Sequence, residues 1–249
     1  QSMLPTQTIG SGSSNDGSRC CFTVPGSRAQ THNVEFLGRL IRMHGFEPAW
    51  CPATQATMLA CGSENNFTGI AVCMGTEFVE VSLCRYGTEV ASESLDVGSN
   101  WIDTEVARQL QMKVWDDAGE CYLDLEAVRE WKHTPSVHLR NSTGERERTL
   151  SRLYSVILER IARSIHQLVT TEAAAVSVGK SPLAVICAGG PTQVGGFANA
   201  LTERLVEQDT VERIQSVRVV EDPSQAIVRG LLIHGELESR RRREVEFAA

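Results

Sequence analysis

The stretch Val185-Ile186-Cys187-Ala188-Gly189-Gly190-Pro191 decides the fold of this chain. It passes from an apolar run with the composition of a buried strand into a glycine turn, and a helical pattern begins at Gly196. Glycines after a buried strand let the backbone come close to a ligand, and N–H groups at the start of a helix can bind an anion. The alternative is a tight strand-to-helix turn that binds nothing.

A helix start about 30 residues downstream supports the same arrangement. Asp222 suits the N-cap position and Pro223 the first helical position, which together are a strong helix-start signal. A short β-rich run, Ser216–Val220, precedes this start, so the order is strand, helix, strand, helix. Ala226 and Gly230, four residues apart in the last helix, allow close packing against a neighbour.

Three β-rich runs open the larger part of the chain. Turn residues at Gly75-Thr76 and Arg85–Gly87 separate them, and short strands joined in this way predict an antiparallel meander. Two helices are predicted after them, at Trp101–Val114 and Glu145–Thr170, with a mixed polar stretch at about 115–142 between the two. The three runs are Phe67–Met74, Glu77–Cys84 and Thr88–Val97.

Residues 20–61 carry a shorter pattern of strand, helix, strand and helix. Apolar side chains recur at helical spacing in the first helix, and Pro25-Gly26 and Pro52 mark turns. This unit is similar to the back half of the pattern that follows it. Its predicted elements are Arg19–Val24, Asn33–Met43, Glu47–Trp50 and Ala53–Ala60.

The composition is typical of a folded globular chain, with 41% apolar and 22% charged residues. The net charge of −7 and the lack of a basic face along most of the chain argue against nucleic acid as a partner. No apolar stretch approaches the roughly 20 residues that span a bilayer, and the polar N-terminal residues do not form a signal peptide. None of the eight cysteines forms a Cys-x-x-Cys pair. We therefore expect a cytoplasmic protein with free thiols.

These motifs, in this order, resemble the actin superfamily, and its MreB-type bacterial members most closely. Residues 185–191 are similar to the adenosine loop of the superfamily, and residues 222–230 to its final connecting helix. Phe22–Gly26 resembles the strand and turn that open the rear half of the first domain, residues 69–103 the second phosphate region, and Leu125–Lys132 part of a small inserted subdomain. The resemblance implies an α/β, actin-like (ribonuclease H-like) body. It would have one complete domain on a five-stranded mixed sheet, plus the rear half of a second domain.

The resemblance also implies a division of the chain into segments. The first phosphate loop of the superfamily has no counterpart before Arg19, either because the chain is truncated or because the opening meander is absent. The run Arg240–Arg243 contacts acidic lipid or nucleic acid or, as we favour, is a solvated helix end. The expected segments are a flexible leader at 1–19, a partial first domain at 20–66, a second domain at 67–238 with an insertion at about 115–142, and a basic tail at 239–249.

The second phosphate region departs from the family pattern. The family has a magnesium-holding Asp where this chain has Cys73, a soft ligand where Mg²⁺ prefers oxygen, and a hydroxyl where this chain has Phe78. A carboxylate at Glu77 would repel a phosphate charge ~4 Å away by about 4 kcal/mol, unless Glu77 itself faces the metal and replaces the Asp. The resemblance implies metal binding at Cys73 or Glu77, and cofactor binding at Gly75, Thr76, Glu77, Ala188, Gly189, Gly190 and Pro191.

The turn that positions the attacking water in the family differs as well. The family has Glu-Pro before the second helix, whereas this chain has Cys51-Pro52. Gln55, one helical turn further on, is an alternative group for orienting a water molecule. Cys51 and Gln55 are therefore the only candidates for a catalytic role, and the sequence assigns neither of them firmly.

We therefore predict an MreB-like cytoskeletal or scaffold protein with a degenerate nucleotide site, which acts through self-association or protein partners. ATP or ADP with Mg²⁺ is the implied cofactor, bound weakly or lost, and any membrane contact is peripheral. The alternative is an active ATPase, actin-like or resembling the heat-shock chaperones. Phosphoryl transfer needs a metal and backbone donors around the phosphates, so the missing oxygen ligand at position 73 favours the scaffold.

Overall fold

A computed structural model of the chain describes residues 18–26, 31–141, 143–171, 178 and 181–248. The predicted leader lies almost wholly outside these residues. Within them, the elements follow the predicted order, from a two-stranded sheet to a five-stranded mixed sheet with helices on both faces.

The first unit is a pair of parallel strands with a helix after each. Its elements are β1 (Arg19–Phe22), α1 (Thr31–Met43), β2 (Glu47–Trp50) and α2 (Ala53–Cys61). Parallel strands need a crossover between them, and α1 supplies it. The strand-helix-strand-helix order predicted for residues 20–61 is confirmed. In the described part of the chain, no third strand extends this sheet.

The meander follows directly, as predicted. It consists of β3 (Gly69–Met74), β4 (Val79–Arg85) and β5 (Thr88–Leu95), which pair antiparallel in sequence order. The next helix, α3 (Ser99–Gln109), ends well before Val114, so the predicted end of that helix was wrong. The chain turns at Gln111, whose φ of +53° is left-handed, and a new strand begins because β-branched and aromatic residues favour extended backbone.

The inserted stretch contains a small hairpin and a helix. Its elements are β6 (Lys113–Trp115), β7 (Cys121–Leu123) and α4 (Leu125–Lys132). Asp124 caps α4, because its carboxylate accepts a hydrogen bond from the N–H of Ala127 at 3.0 Å. The helix packs against α3 and thereby brings its basic last turn towards the main sheet.

The second half completes the main sheet. It consists of α5 (Glu145–Thr170), β8 (Leu183–Ala188), α6 (Phe197–Glu207), β9 (Ile214–Val219) and α7 (Pro223–Ala248). The strand order is β5-β4-β3-β8-β9, with β3, β8 and β9 parallel, so the sheet is mixed as predicted. The helix α7 continues through Ala248, so the stretch predicted as a basic tail is helical over the residues that the structure describes.

The two faces of the main sheet are packed differently. Alternate residues of β3 point to opposite faces, so Ile70 and Val72 join a large core with α3 and α5, whereas Ala71 and Cys73 face α2. The residues on the α2 face are small, and this lets α2 and α7 pack close to the sheet. The carboxyl ends of β3 and β8 meet at one edge of this layer, where the candidate site lies.

Candidate functional site

A cavity of about 550 Å³ lies at the carboxyl ends of β3 and β8. In open sheets with parallel strands, this edge is where ligands commonly bind. The turn after β1, the β3–β4 turn, the last turn of α4 and the turn after β8 form its walls. Of the predicted cofactor residues, the cavity brings together Gly75, Thr76, Ala188, Gly189, Gly190 and Pro191.

The turn after β8 requires a glycine at Gly189, whereas the space beside Gly190 is empty. Gly189 has φ of +117°, and a Cβ there would lie 2.0 Å from the carbonyl oxygen of Met74. A Cβ on Gly190 would meet no atom within 4 Å, although this residue also lines the cavity. The space beside Gly190 is therefore open, and its role in binding a ligand stays a prediction.

The β3–β4 turn is held by the start of α3. The Gly75 N–H donates to the carbonyl of Phe78 at 2.8 Å, which closes the turn. The carbonyls of Gly75 and Thr76 accept from the N–H groups of Ser99 and Asn100 at 3.0 and 2.9 Å. The N-terminal N–H groups of α3 therefore bind the turn itself, and this fixes the position of residues 73–78 at the cavity.

Cys73 lies in the cavity wall, at the position where the family resemblance implies a metal ligand. Its side chain is buried and its sulfur lies 3.3 Å from the hydroxyl oxygen of Thr57. Burial raises the pKa of this thiol to about 12. The thiol is therefore neutral at physiological pH, whereas a metal-binding thiol must be ionised.

The structure separates Glu77 from the cavity. Glu77 is exposed and is not among the described residues that line the cavity. Glu80, at the start of β4, lies in the wall instead and is 6% exposed. If a carboxylate oxygen reaches a ligand from this strand, Glu80 is the better placed of the two.

A buried ion pair occupies another wall of the cavity. Lys132 Nζ lies 2.5 Å from Asp103 Oδ1, and their side chains are only 4% and 2% exposed. Arg129 Nε lies 3.3 Å from Asp103 Oδ2, and the same guanidinium donates to the side-chain oxygen of Asn100 at 3.1 Å. Lys132 and Arg129 are three residues apart on α4 and therefore share one face of this helix. Sequence reasoning did not find this pair, because the spacing on α4 shows only that the two cations share a face and not that they meet Asp103.

An aromatic ring closes one side of the cavity. Phe78 lies against Gly26 in the turn after β1, where a Cβ would come within 2.5 Å of the ring. Gly26 has φ of +62°, so the turn itself also favours glycine. Phe78 therefore joins the meander of the main sheet to the first unit across the cavity.

The two candidate catalytic residues do not reach the cavity. Cys51 is fully buried, its thiol donates to the carbonyl of Pro52 at 3.5 Å, and burial raises its pKa to about 12. The Gln55 amide donates to the carbonyl of Gly87 at 2.9 Å. Of α2, which follows Cys51 and contains Gln55, Ala53 is in the cavity wall. Neither residue is in a position to orient a water molecule inside the cavity.

The family and the fold follow from comparison with known proteins. A family model described as Volactin matches residues 3–235. The chain belongs to the Volactin family. No curated protein matches the sequence of this Volactin-family chain.

Two solved structures show the fold of the Volactin-family chain. A MamK double helical filament is 17% identical with a TM-score of 0.64, over 91% of this chain and 71% of that one. The ethanolamine utilization protein EutJ from Carboxydothermus hydrogenoformans is 16% identical with a TM-score of 0.53, over 88% of this chain and 67% of that one. Together with the mixed five-stranded sheet, they confirm the predicted actin-like α/β fold.

The charges around the cavity of the Volactin-family chain are balanced. Its wall holds the cations of Arg129 and Lys132 and the carboxylates of Glu80 and Asp103. Asp103 is already paired with both cations, which reduces their capacity to neutralise an incoming polyphosphate. Among the described residues, no group of three or more His, Cys, Asp or Glu side chains is arranged to hold a metal.

No helix in the described part of the chain is long and apolar enough to cross a membrane.

Proposed function

We propose that this chain is an actin-fold scaffold protein that acts by self-association or by holding protein partners, with a cavity that is a degenerate form of a magnesium–nucleotide site. The observation that carries this proposal is Cys73, a buried thiol in the cavity wall at the place where the family resemblance implies the magnesium ligand. Mg²⁺ takes oxygen ligands in nearly ideal octahedral geometry, and a protonated thiol offers it none. Hydrolysis of ATP needs that ion to neutralise charge on the phosphates.

Two further features of the cavity support the same proposal. Asp103 carries a carboxylate, but Lys132 and Arg129 already neutralise it inside the wall. Phe78 extends from the turn that would hold the phosphates and contacts the first unit, so a protein side chain spans part of the gap between the two sheets. A cavity that is closed in this way favours a fixed scaffold over one that opens and closes with nucleotide.

Self-association is proposed by analogy with one structural neighbour. MamK is described as a double helical filament and resembles this chain over most of its length. The chain also exposes large apolar side chains on α1, α7 and the β6–β7 hairpin, which is typical of surfaces that bind other proteins. We place its action in the cytoplasm, because all eight cysteines are free.

A second candidate is a protein that still binds ATP or ADP and hydrolyses it. The open backbone at Gly190 and a cavity of about 550 Å³ favour nucleotide binding, since this volume is in the range of small-molecule sites. In this case, Glu80 is a carboxylate in the cavity wall that could take part in holding the metal.

Calorimetric titration of ATP and ADP into the chain, with and without Mg²⁺, separates the two candidates. The scaffold proposal expects no magnesium-dependent affinity and, in the same samples, association that does not require nucleotide. Micromolar binding that depends on Mg²⁺ and is lost in Glu80→Gln would move the ATPase to first place. A chain that stays monomeric at every concentration, with or without nucleotide, contradicts self-association and leaves only a scaffold that holds other proteins.

A further inference from the structure

The β6–β7 hairpin projects aromatic side chains into solvent. Trp115, Tyr122 and Val114 are 69%, 50% and 47% exposed, although large apolar side chains usually find cover in a folded chain. The hairpin has only two strands, and it contacts the body of the protein mainly through α3. This exposed apolar surface is not used by the cavity or by the core.

The tip of the same hairpin is acidic and well ordered by its own hydrogen bonds. Asp116, Asp117 and Glu120 carry three carboxylates, with Lys113 at the base as the one cation of the hairpin. Asp116 Oδ1 accepts from the N–H groups of Ala118 and Glu120 at 3.0 and 2.8 Å, which holds the turn. The hairpin therefore presents Trp115 on one face and Tyr122 on the other, beside a negative tip.

A groove of about 480 Å³ on the first unit has the opposite character. It lies between α1 and the β1–β2 pair, and Phe22, Pro48 and Trp50 form apolar walls. Arg39 and Arg42 lie along its α1 side together with Glu35, so the lining has two cations and one carboxylate. Their guanidinium groups can pair with carboxylates and stack on aromatic faces.

Gly38 makes room for this groove. It is the one buried residue of α1, and a Cβ added there would meet Arg42 and Pro48 only at 3.9 and 4.0 Å. Glycine is therefore not required here by a steric clash or by a positive φ. The missing side chain leaves an open space between the helix and β2.

We propose that the β6–β7 hairpin of one copy docks into the α1–β2 groove of a second copy. This inference rests on the self-association proposed above, and it names the surfaces that make the contact. Trp115 would enter the space over Gly38, and the carboxylates of Asp117 and Glu120 would meet the two arginines, while Tyr122 stays on the other face of the hairpin. Aromatic residues and arginine dominate the binding energy of many protein interfaces.

The contact joins two different surfaces, so it does not by itself limit the assembly to a dimer. Each copy carries one hairpin and one groove, so every contact leaves a hairpin free at one end and a groove free at the other. Such heterologous contacts form rings when the rotation closes and open chains when it does not. The arrangement therefore suits a protein that assembles without a fixed number of subunits.

Sedimentation velocity over a concentration series tests the contact. Trp115→Ala removes the apolar anchor, and Arg39→Glu with Arg42→Glu reverses the charge of the groove. We expect each variant to weaken association about tenfold or more, whereas Arg160→Glu, an exposed arginine on α5, leaves it unchanged. Gly38→Leu, which fills the groove, is expected to weaken association as strongly while circular dichroism and the unfolding midpoint stay close to those of the natural chain.

Mixing the two defective variants gives the sharper result. The Trp115→Ala chain keeps a working groove and the groove variant keeps a working hairpin, so together they should form a one-to-one dimer and nothing larger. Introducing Asp117→Arg and Glu120→Arg into the Arg39→Glu, Arg42→Glu chain should restore longer assemblies. Association should also weaken as salt rises, because exposed charges are screened.

Three results overturn the inference, and they can be told apart. A natural chain that never associates removes both this contact and the proposed self-association. A natural chain that associates as before in every hairpin and groove variant removes this contact alone. Tryptophan fluorescence that shifts on vesicles of neutral lipid in the natural chain but not in Trp115→Ala, without association of the chain, assigns the hairpin to a membrane surface instead.

Discussion

At the residue scale, position 73 decides what the cavity can bind. An oxygen ligand there should restore magnesium binding if the rest of the site is intact, because Gly75 and Gly190 still bring backbone to the cavity. We expect Cys73→Asp to gain magnesium-dependent affinity for ADP, measured by calorimetry. Cys73→Ser, which supplies a hydroxyl without a charge, should not gain it. If the aspartate variant folds but binds no better, the cavity has been remodelled for another ligand.

Lys132 neutralises the buried carboxylate of Asp103. Lys132→Met leaves Asp103 buried and only partly compensated, and breaking a buried pair in this way costs about 3–5 kcal/mol of the free energy of unfolding. Arg129→Met should cost less than about 1 kcal/mol, because the Arg129 side chain is half exposed. Urea denaturation of the two variants checks the order. Equal losses would mean that the pair is solvated and does not hold α4 to α3.

At the element scale, α7 is positioned by its contact with α2. A Cβ on Gly230 would lie 1.8 Å from the carbonyl oxygen of Ala56, so the two backbones touch. We expect Gly230→Ala to lower the free energy of unfolding by about 1–3 kcal/mol, since overpacking forces the helices apart. Gly38→Ala in α1 is the matched control, and it should raise that free energy by about 0.5–1 kcal/mol, because alanine favours a helix. If both substitutions change the free energy of unfolding in the same direction, α2 and α7 can move apart to accept the extra methyl group without a loss of stability.

The elements could be predicted from the sequence where one signal dominated. The apolar stripe of α5 gave its bounds at Glu145 and Thr170, because a long amphipathic period has few alternatives. The predicted end of α3 was wrong. Val114 and Trp115 continue the helical spacing of apolar residues, although their intrinsic preference is for a strand. Short insertions of this kind are determined by pairing with a second strand, which no local pattern contains.

The candidate site was predictable to the extent that it lies in local turns. The Gly189-Gly190 turn and Cys73 stand in sequence patterns that can be recognised directly, and the structure brings both to one cavity. The pairs Lys132–Asp103 and Phe78–Gly26 join residues far apart in the chain. They depend on how α4 and the first unit fold against the main sheet, so the sequence alone did not reveal them.

At the scale of the whole molecule, the buried thiols make stability depend on alkaline pH. Burial raises the pKa of Cys51, Cys73 and Cys84 to about 12, from an ordinary value of 9.0. Above pH 9 these thiols ionise in the unfolded chain but stay neutral in the folded one. Their ionisation therefore stabilises the unfolded state relative to the folded state. The free energy of unfolding should therefore fall between pH 9 and 12, by at most about 1.4 kcal/mol per pH unit for each thiol.

Replacing two of these thiols separates their effect from that of other titrating groups. In a Cys51→Ala, Cys84→Ala chain, we expect a smaller fall in the free energy of unfolding over the same pH range, measured by urea denaturation. Removal of the two sulfur atoms leaves small cavities, which lower the free energy of unfolding equally at every pH. Only the slope of this free energy against pH therefore reports on the thiols. Cys121, which is exposed, provides the control, because Cys121→Ala should leave the slope unchanged. If all three chains have the same slope, the thiols of residues 51 and 84 reach water in the native state, and the tight packing of α2 against the main sheet does not hold in solution.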